Sequence, residues 1–383
     1  MNPVHKAILF ILFSHIPFTG MRLAVPLYVL HLGATPAMVG VMMALYSLLP
    51  MLTSMHLGRY MDRHGMRSTL IAGTVLLAAA ILLAALSHDY HWFFLITLVV
   101  GAAYNPLLNA VQQLIGRYST SDNRVGNYST LSLCFATSLA VVPMITGFLI
   151  DHIGFEASFL IMCVLPLPAL AMLLMNRLPR LGPAKQVAAD AGASKGGMMD
   201  LIRDPTLRQL YIFNILFTVA WDLFLFMTPV YGAELKLSAS QIGVVVGSFP
   251  VAMFFIRFFA GTIAKSWSAR QMLLGSMIVS GSGALGFGLV ASVPLLVLFA
   301  MIMGLGHGLA APTMNTLLYE GSPPGRVAEA MGLRTSIGKA CQVVLPVIGG
   351  AVSTLLGVAP VYWIISITQL GAAWHSRRDW HKP

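Results

Sequence analysis

Two ionisable side chains lie far from any other charge in their local sequence. Arg22 interrupts the apolar run "FTGMRLAVPLY" (18–28), and Asp222 interrupts "AWDLFLF" (220–226). A charge held at bilayer depth costs about 2.5–3.5 kcal/mol, so it is expected to face a polar cavity or a partner. An acid in such a place can take up and release a proton, and a guanidinium can hold an anion or a counter-ion. A static salt bridge that fixes helix register is the competing reading of the pair. His15 precedes Arg22 by seven residues, about two helical turns. Asn105, Asn109 and Gln112 step along one helical face at i, i+4 and i+7, and His307 and Asn315 share a later apolar stretch. A histidine there can titrate near neutral pH; each of these six also reads as an interhelical hydrogen-bonding group. Phe18, Tyr104, Trp221 and Phe224 suit either a wall for an amphipathic ligand or contact with lipid. The 23 methionines read as core filler before they read as an adaptable binding wall. Cys134, Cys163 and Cys341 all fall in apolar segments and read as packing residues. No metal site, cofactor or nucleotide-binding P-loop is expected, and no convergent catalytic set marks an enzyme.

The elements that must position these groups follow from composition. Of 383 residues, 57% are hydrophobic and 9% charged, against about 25% charged in a soluble domain. Apolar runs of about 20 residues have the length of a membrane-spanning helix. Twelve are predicted, near 6–31, 36–58, 68–87, 92–116, 125–150, 155–177, 207–232, 237–264, 270–291, 293–319, 326–354 and 358–376. The first is no cleavable signal, being long, polar at His15 and Arg22, and without a small-residue cleavage site. Net charge is +10, and its placement excludes a nucleic-acid reading. Arg59, Arg63, Arg67, Arg117, Arg124, Arg177, Arg203, Lys265, Arg270 and Arg326 follow even-numbered spans, while Lys236 is the exception after odd-numbered ones. The positive-inside rule puts both termini and these loops in the cytoplasm of an inner (plasma) membrane protein.

"LPRLGPAKQVAADAGASKGGMMD" (178–200) lacks apolar periodicity and reads as a flexible cytoplasmic linker. The expected domains are therefore 1–177, a linker over 178–206, and 207–383, with six spans in each half. At an offset of 203, Pro26 meets Pro229, Gly40 meets Gly243, Gly58 meets Gly261, Arg67 meets Arg270, Pro143 meets Pro346, Gly147 meets Gly350 and Gly154 meets Gly357. In the fourth and tenth spans "NPLLN" (105–109) matches "APTMN" (311–315) at 206. The matched residues are mostly Pro and Gly, which set backbone shape. The fold expected is all-α: twelve transmembrane helices in two six-helix bundles related by a pseudo-two-fold axis along the membrane normal.

The loop after the second span, "GRYMDRHGMR" (58–67), resembles the signature of the major facilitator superfamily, matching at Gly58, Asp62, Arg63, Gly65 and Arg67. Its echo "GTIAKSWSAR" (261–270) keeps Gly261 and Arg270 but has Lys265 in place of the acid. "VVPMITGF" in the fifth span is similar to the family's antiporter motif at Pro143 and Gly147, departing at Val142 and Thr146; "LPVIGG" in the eleventh supplies Pro346, Gly349 and Gly350. Proline kinks and small-residue helix packing explain these equally well. The resemblance is to the drug:proton antiporter branch, although the fourth-span arginine common there has no counterpart before Gly101.

The resemblance implies a secondary active transporter working by alternating access. The first, fourth, seventh and tenth spans would line its central cavity, and Arg22 and Asp222 would face that cavity from opposite halves. Asp62 and its neighbours would form a cytoplasmic gate, with Glu320, Arg326 and Arg124 as further gate candidates. Proton-coupled efflux of a small organic or amphipathic molecule is the expectation. The alternatives are export of an anionic or siderophore-like metabolite and proton-coupled import. The expected partners are substrate, protons and the lipid bilayer, with the chain a monomer.

Overall fold

Proline opens helix after helix in this chain. Pro3, Pro36, Pro166 and Pro205 each stand at a first helical position, where the missing N–H would have lacked a partner in any case. The residue before supplies the cap at three of them: Asn2 accepts from the Val4 amide at 3.1 Å, Thr35 from Met38 at 3.4 Å and Asp204 from Leu207 at 2.9 Å. The computed structural model describes residues 2–178, 198–323 and 326–379, apart from the side chains of 55, 58, 62–64, 121, 122, 125, 198, 328, 378 and 379.

The helices are α1 (Pro3–His31), α2 (Pro36–His64), α3 (Arg67–Leu86), α4 (Trp92–Tyr118), α5 (Ser121–Val164), α6 (Pro166–Leu174), α7 (Met198–Arg203), α8 (Pro205–Glu234), α9 (Ala239–Ile263), α10 (Ala269–Phe287), α11 (Val293–Gly321), α12 (Val327–Leu356) and α13 (Ala359–His375). Nine helices among the described residues are long and apolar enough to cross a membrane. One of these is the 49-residue stretch Gly126–Leu174. It is broken at Gly154, whose φ of 82° leaves helical space, so it holds the fifth and sixth expected spans. α10 and α13 complete twelve; α10 carries Arg270, Gln271 and three serines, and α13 is only 17 residues long. Most of the expected linker lies outside the described residues, and its end, Met198–Arg203, is helical.

The chain divides into two compact units, Met1–Ala189 with Lys236–Gly243, and Asp190–Leu235 with Val244–Pro383. In the first, α1 packs against α4, α5 and α6, α2 against α4, and α3 against α4 and α5. In the second, α8 packs against α11, α12 and α13, and α10 against α11 and α13. Helices in hydrocarbon gain little from burying apolar surface, so close backbone approach and interhelical hydrogen bonds hold them together. The opening turn of α9 groups with the first unit for a visible reason. Asp151 on α5 accepts from the Ala239 amide at 2.9 Å, from the Ser240 amide at 2.8 Å and from the Ser240 hydroxyl. A Cβ on Gly147 would strike the Ala239 backbone, and one on Gly243 the Pro143 backbone.

The internal repeat recurs as geometry. Tyr28 donates to the Ser87 carbonyl at 3.1 Å, and Tyr231, 203 residues later, donates to the Val290 carbonyl at 3.1 Å. Gly154 and Gly357 share φ values of 82° and 81°. Gly101 on α4 lies against the Tyr46 backbone of α2, and Gly304 on α11 lies against the Phe249 backbone of α9. Those pairs keep the offset at 203 within the fourth and tenth spans. The 206 pairing of "NPLLN" with "APTMN" is therefore a coincidence of composition, and the structural counterpart of Asn315 is Gln112.

Candidate functional site

In the first unit the polar centre is His15. It is 7% exposed, its Nδ1 lies 2.6 Å from the Tyr104 hydroxyl, and its Nε2 lies 3.4 Å from the Thr19 hydroxyl. Phe135 packs on its ring at 4.3 Å between centroids. Phe18 stacks on Tyr104 at 4.0 Å and meets Tyr46 edge-on at 5.9 Å. Arg22, half-buried two turns along α1, brings its charge within electrostatic range of His15 and Tyr46. The guanidinium of the sequence analysis thus stands beside an aromatic and imidazole cluster, not in a wholly apolar shell.

In the second unit the same construction recurs at offset 203 with different side chains. Trp221 replaces Phe18, Phe249 replaces Tyr46 and His307 replaces Tyr104. Trp221 stacks on His307 at 5.7 Å and meets Phe249 edge-on at 5.4 Å. Phe217 closes the group from 5.3 Å, and the buried His307 Nδ1 has no hydrogen-bond partner among the described residues. Phe224, fully buried, stacks on Phe249 at 4.6 Å. Asp222 is 3% exposed on α8, and its charge reaches Cys341 on α12. Gly349 and Gly350 are buried where α12 meets α8; a Cβ on Gly349 would lie 2.7 Å from Leu223. Arg22 and Asp222 belong to different units.

The remaining candidates separate. Asn105 on α4 donates to the Ser54 hydroxyl of α2 at 3.0 Å, an interhelical tie. Asn109 and Gln112 line an open cleft of about 870 Å³ in the first unit with Ser54, Gln113, Arg117 and Tyr128. Asn315 is exposed on α11 and accepts from Arg334 of α12, whose Nε also donates to Asn214 of α8 at 2.9 Å. Arg334 escaped the sequence reading. Lys339 is exposed and reaches Gln342 one turn on at 3.3 Å. Arg257 donates to the Gly308 carbonyl of α11 at 3.3 Å, a helix-to-helix bond.

Of the gate motif, the side chains of Gly58, Asp62 and Arg63 lie outside the described residues. Gly65 ends α2 at φ 84°, its N–H bonded to the Met61 carbonyl at 2.9 Å. Arg67 donates to Asn176, just past α6, and at 3.3 Å to the Leu173 carbonyl in the last turn of α6. Arg326 pairs with Glu329 at 2.7 Å, one turn along its own helix. Pro143 and Gly147 are buried at the crossing with α9, and Pro346 is buried on α12. Close helix approach accounts for the fifth-span glycine without reference to the direction of transport. Among the described residues no group of His, Cys, Asp and Glu could hold a metal ion.

Comparison with known proteins agrees with this architecture. The family model described as Major Facilitator Superfamily matches residues 7–239 and again 210–377. A hexuronate transporter of Bacillus subtilis (strain 168) is 30% identical over 112 residues, 28% of this chain and 26% of that one. The quinolone resistance protein NorA of Staphylococcus aureus (strain MRSA252) is 25% identical over 159 residues, 41% of each chain. The matched stretches thus span well under half the length of these relatives. Among solved structures, the nucleoside transporter NupG superposes with a TM-score of 0.80 at 14% identity, covering 98% of this chain and 99% of its own. A POT family transporter in complex with 5-aminolevulinic acid gives 0.75 at 15%, covering 99% and 96%. At such identities the likeness is one of fold. With an all-helical fold, the internal repeat and a family model matched across nearly the whole length, this chain belongs to the Major Facilitator Superfamily.

Proposed function

We propose that the chain is a secondary active transporter that exports a small organic molecule in exchange for protons. The observation that carries the reading is Asp222, a carboxylate 3% exposed in the middle of a membrane-spanning helix. A buried acid there costs stability, and reversible protonation gives it a use. His15 and His307, each set among aromatic rings, are polar groups of the two units available to substrate, and Arg22 is the cation that holds substrate or counter-ion. Export is favoured by the similarity to NorA, a quinolone resistance protein. A second reading, transport of an anionic metabolite, is favoured by the half-buried Arg22 and by the similarity to a hexuronate transporter. In this proposal the chain has two halves, 1–177 and 207–383, joined by a linker over 178–206, and works by alternating access. The linker and both termini are cytoplasmic, the protein is a monomer of the inner membrane, and Asp62 with Arg63 belongs to the cytoplasmic gate.

The test uses the full chain in proteoliposomes carrying a pH gradient, with a quinolone and D-glucuronate as probes and a pH-sensitive dye inside. Substrate movement coupled to collapse of the gradient is the expected result. Asp222→Asn is expected to abolish gradient-driven flux while leaving substrate exchange, because the amide mimics the protonated acid. Gradient-driven flux at the unaltered rate in Asp222→Asn would remove the acid from the mechanism.

A further inference from the structure

We propose that Arg334 is an anion-binding residue that receives a carboxylate group of the transported molecule; the inference rests on the transport reading and narrows its substrate class. The guanidinium is anchored by two neutral amide oxygens, those of Asn214 on α8 and Asn315 on α11. Amide oxygens orient a guanidinium without cancelling its charge. Among the described residues no carboxylate lies within ion-pair distance of Arg334. Of the five N–H donors of a guanidinium, two are used by the asparagines and three are left, enough for the paired contacts that match a carboxylate.

The surroundings are those of a water-facing wall. Among the exposed residues around Arg334 are Glu329, Gly332, Thr335, Ser336, Lys339 and Ala340 of α12, with Asn315 and Thr316 of α11. Half a helix further on, the exposed residues of α12 are Val344, Val347 and Ile348. A helix against lipid is apolar all along its outward face, so the change from polar to apolar marks where one half of α12 leaves hydrocarbon for water. A fixed, half-buried, uncompensated cation on such a wall attracts and orients an anionic group. Lys339, a little over one turn beyond Arg334, adds a second positive charge on the same helix. The geometry also assigns a role to Asn315: it positions Arg334 and leaves the substrate contact to the guanidinium.

The experiment is thermal unfolding of the purified full chain in detergent, titrated with sodium acetate, sodium benzoate and sodium D-glucuronate at ionic strength matched by sodium chloride. Acetamide, benzamide and D-glucose serve as the uncharged counterparts. At least one carboxylate is expected to raise the midpoint in a saturable way while its neutral counterpart does not. Arg334→Gln is expected to weaken the apparent affinity by roughly tenfold to a hundredfold, as for the loss of charge-assisted hydrogen bonds, and Arg334→Lys is expected to restore part of it. Should Arg334→Gln fail to fold, Asn315→Asp decides. It keeps the size of the side chain and the guanidinium in place but supplies an internal carboxylate, and it is expected to lose anion stabilisation to the same extent. Failure of every carboxylate to stabilise the unaltered chain overturns the proposal, and so does unaltered anion stabilisation in Asn315→Asp. Anion stabilisation without any gradient-driven flux would sink the transport reading and leave the site standing. Flux that persists with no preference for carboxylates would do the reverse.

Discussion

Adding one methyl group at Gly101 or Gly304 should loosen the protein at two repeat-related crossings, while the same change at Gly371 should tighten it. A Cβ built on Gly101 falls well inside van der Waals contact with the backbone of Tyr46, and one on Gly304 does the same with the backbone of Phe249. Comfortable carbon contacts begin near 3.5 Å, so α2 and α4, and likewise α9 and α11, must separate by about 1 Å to admit the group. The obstruction is main chain and cannot rotate aside. Overpacking of this kind costs about 1–3 kcal/mol, and the upper half of that range is expected for each of Gly101→Ala and Gly304→Ala. Gly371, exposed inside α13, has nothing within 4 Å of its would-be Cβ. There Ala only restricts the unfolded chain and favours the helix, a gain of about 0.5–1 kcal/mol. Since Gly101 and Gly304 lie in separate units and share no neighbours, their losses should add to within about 0.5 kcal/mol. Thermal unfolding in detergent, read by intrinsic fluorescence, compares the parent, the three single variants and the Gly101→Ala/Gly304→Ala double variant. Gly101→Ala as stable as the parent, or Gly371→Ala as damaged as Gly101→Ala, would refute the close-crossing argument.

Tyr28→Phe and Tyr231→Phe each remove one hydrogen bond to a loop carbonyl and are expected to cost about 0.5–1.5 kcal/mol apiece; a loss at one position without the other would break the structural equivalence of the repeats. Asp151→Asn takes a charged acceptor from the first turn of α9, a loss of about 1–2 kcal/mol locally. Hydrogen exchange at the Ala239 and Ser240 amides should accelerate about tenfold, and unchanged protection there would mean that the cap is not what holds the turn. Lys236→Gly should stabilise the protein by about 1 kcal/mol, because Lys236 has a φ of 56° that a side chain adopts at a cost; a lowered unfolding midpoint would contradict it.

Apolar length and the placement of arginines made the twelve helices legible, and the Pro and Gly matches at 203 made the repeat legible, because both act through the backbone of a single segment. The interhelical geometry was less so. That Phe18, Tyr46 and Tyr104 form one cluster, echoed by Trp221, Phe249 and His307, depends on three helices meeting, and the echo replaces every side chain. No residue-identity comparison detects that. Arg334 was hidden for a related reason. It lies near the amino end of an apolar span with small polar neighbours, and its significance comes from Asn214 and Asn315 on two other helices. Asn105 looked like a cavity residue on its helical face, yet Ser54, 51 residues earlier on α2, engages it. Glycine at 147 resembled a family motif, and the crossing with α9 supplies the steric reason for it.

Two residues past the end of α1 stands Gly33, with φ 89°, and its counterpart past α8 is Lys236, with φ 56°. A duplicated segment inherits a backbone path before it inherits reasons for each side chain. In the first half glycine makes that left-handed stop without strain, whereas in the second a lysine makes the same stop at a cost. The ancestry of the two halves is therefore written more durably in torsion angles than in letters. Positions such as 236, where shape persists against local preference, are where an ancestral sequence is most easily inferred and where reverting to it should cost the protein least.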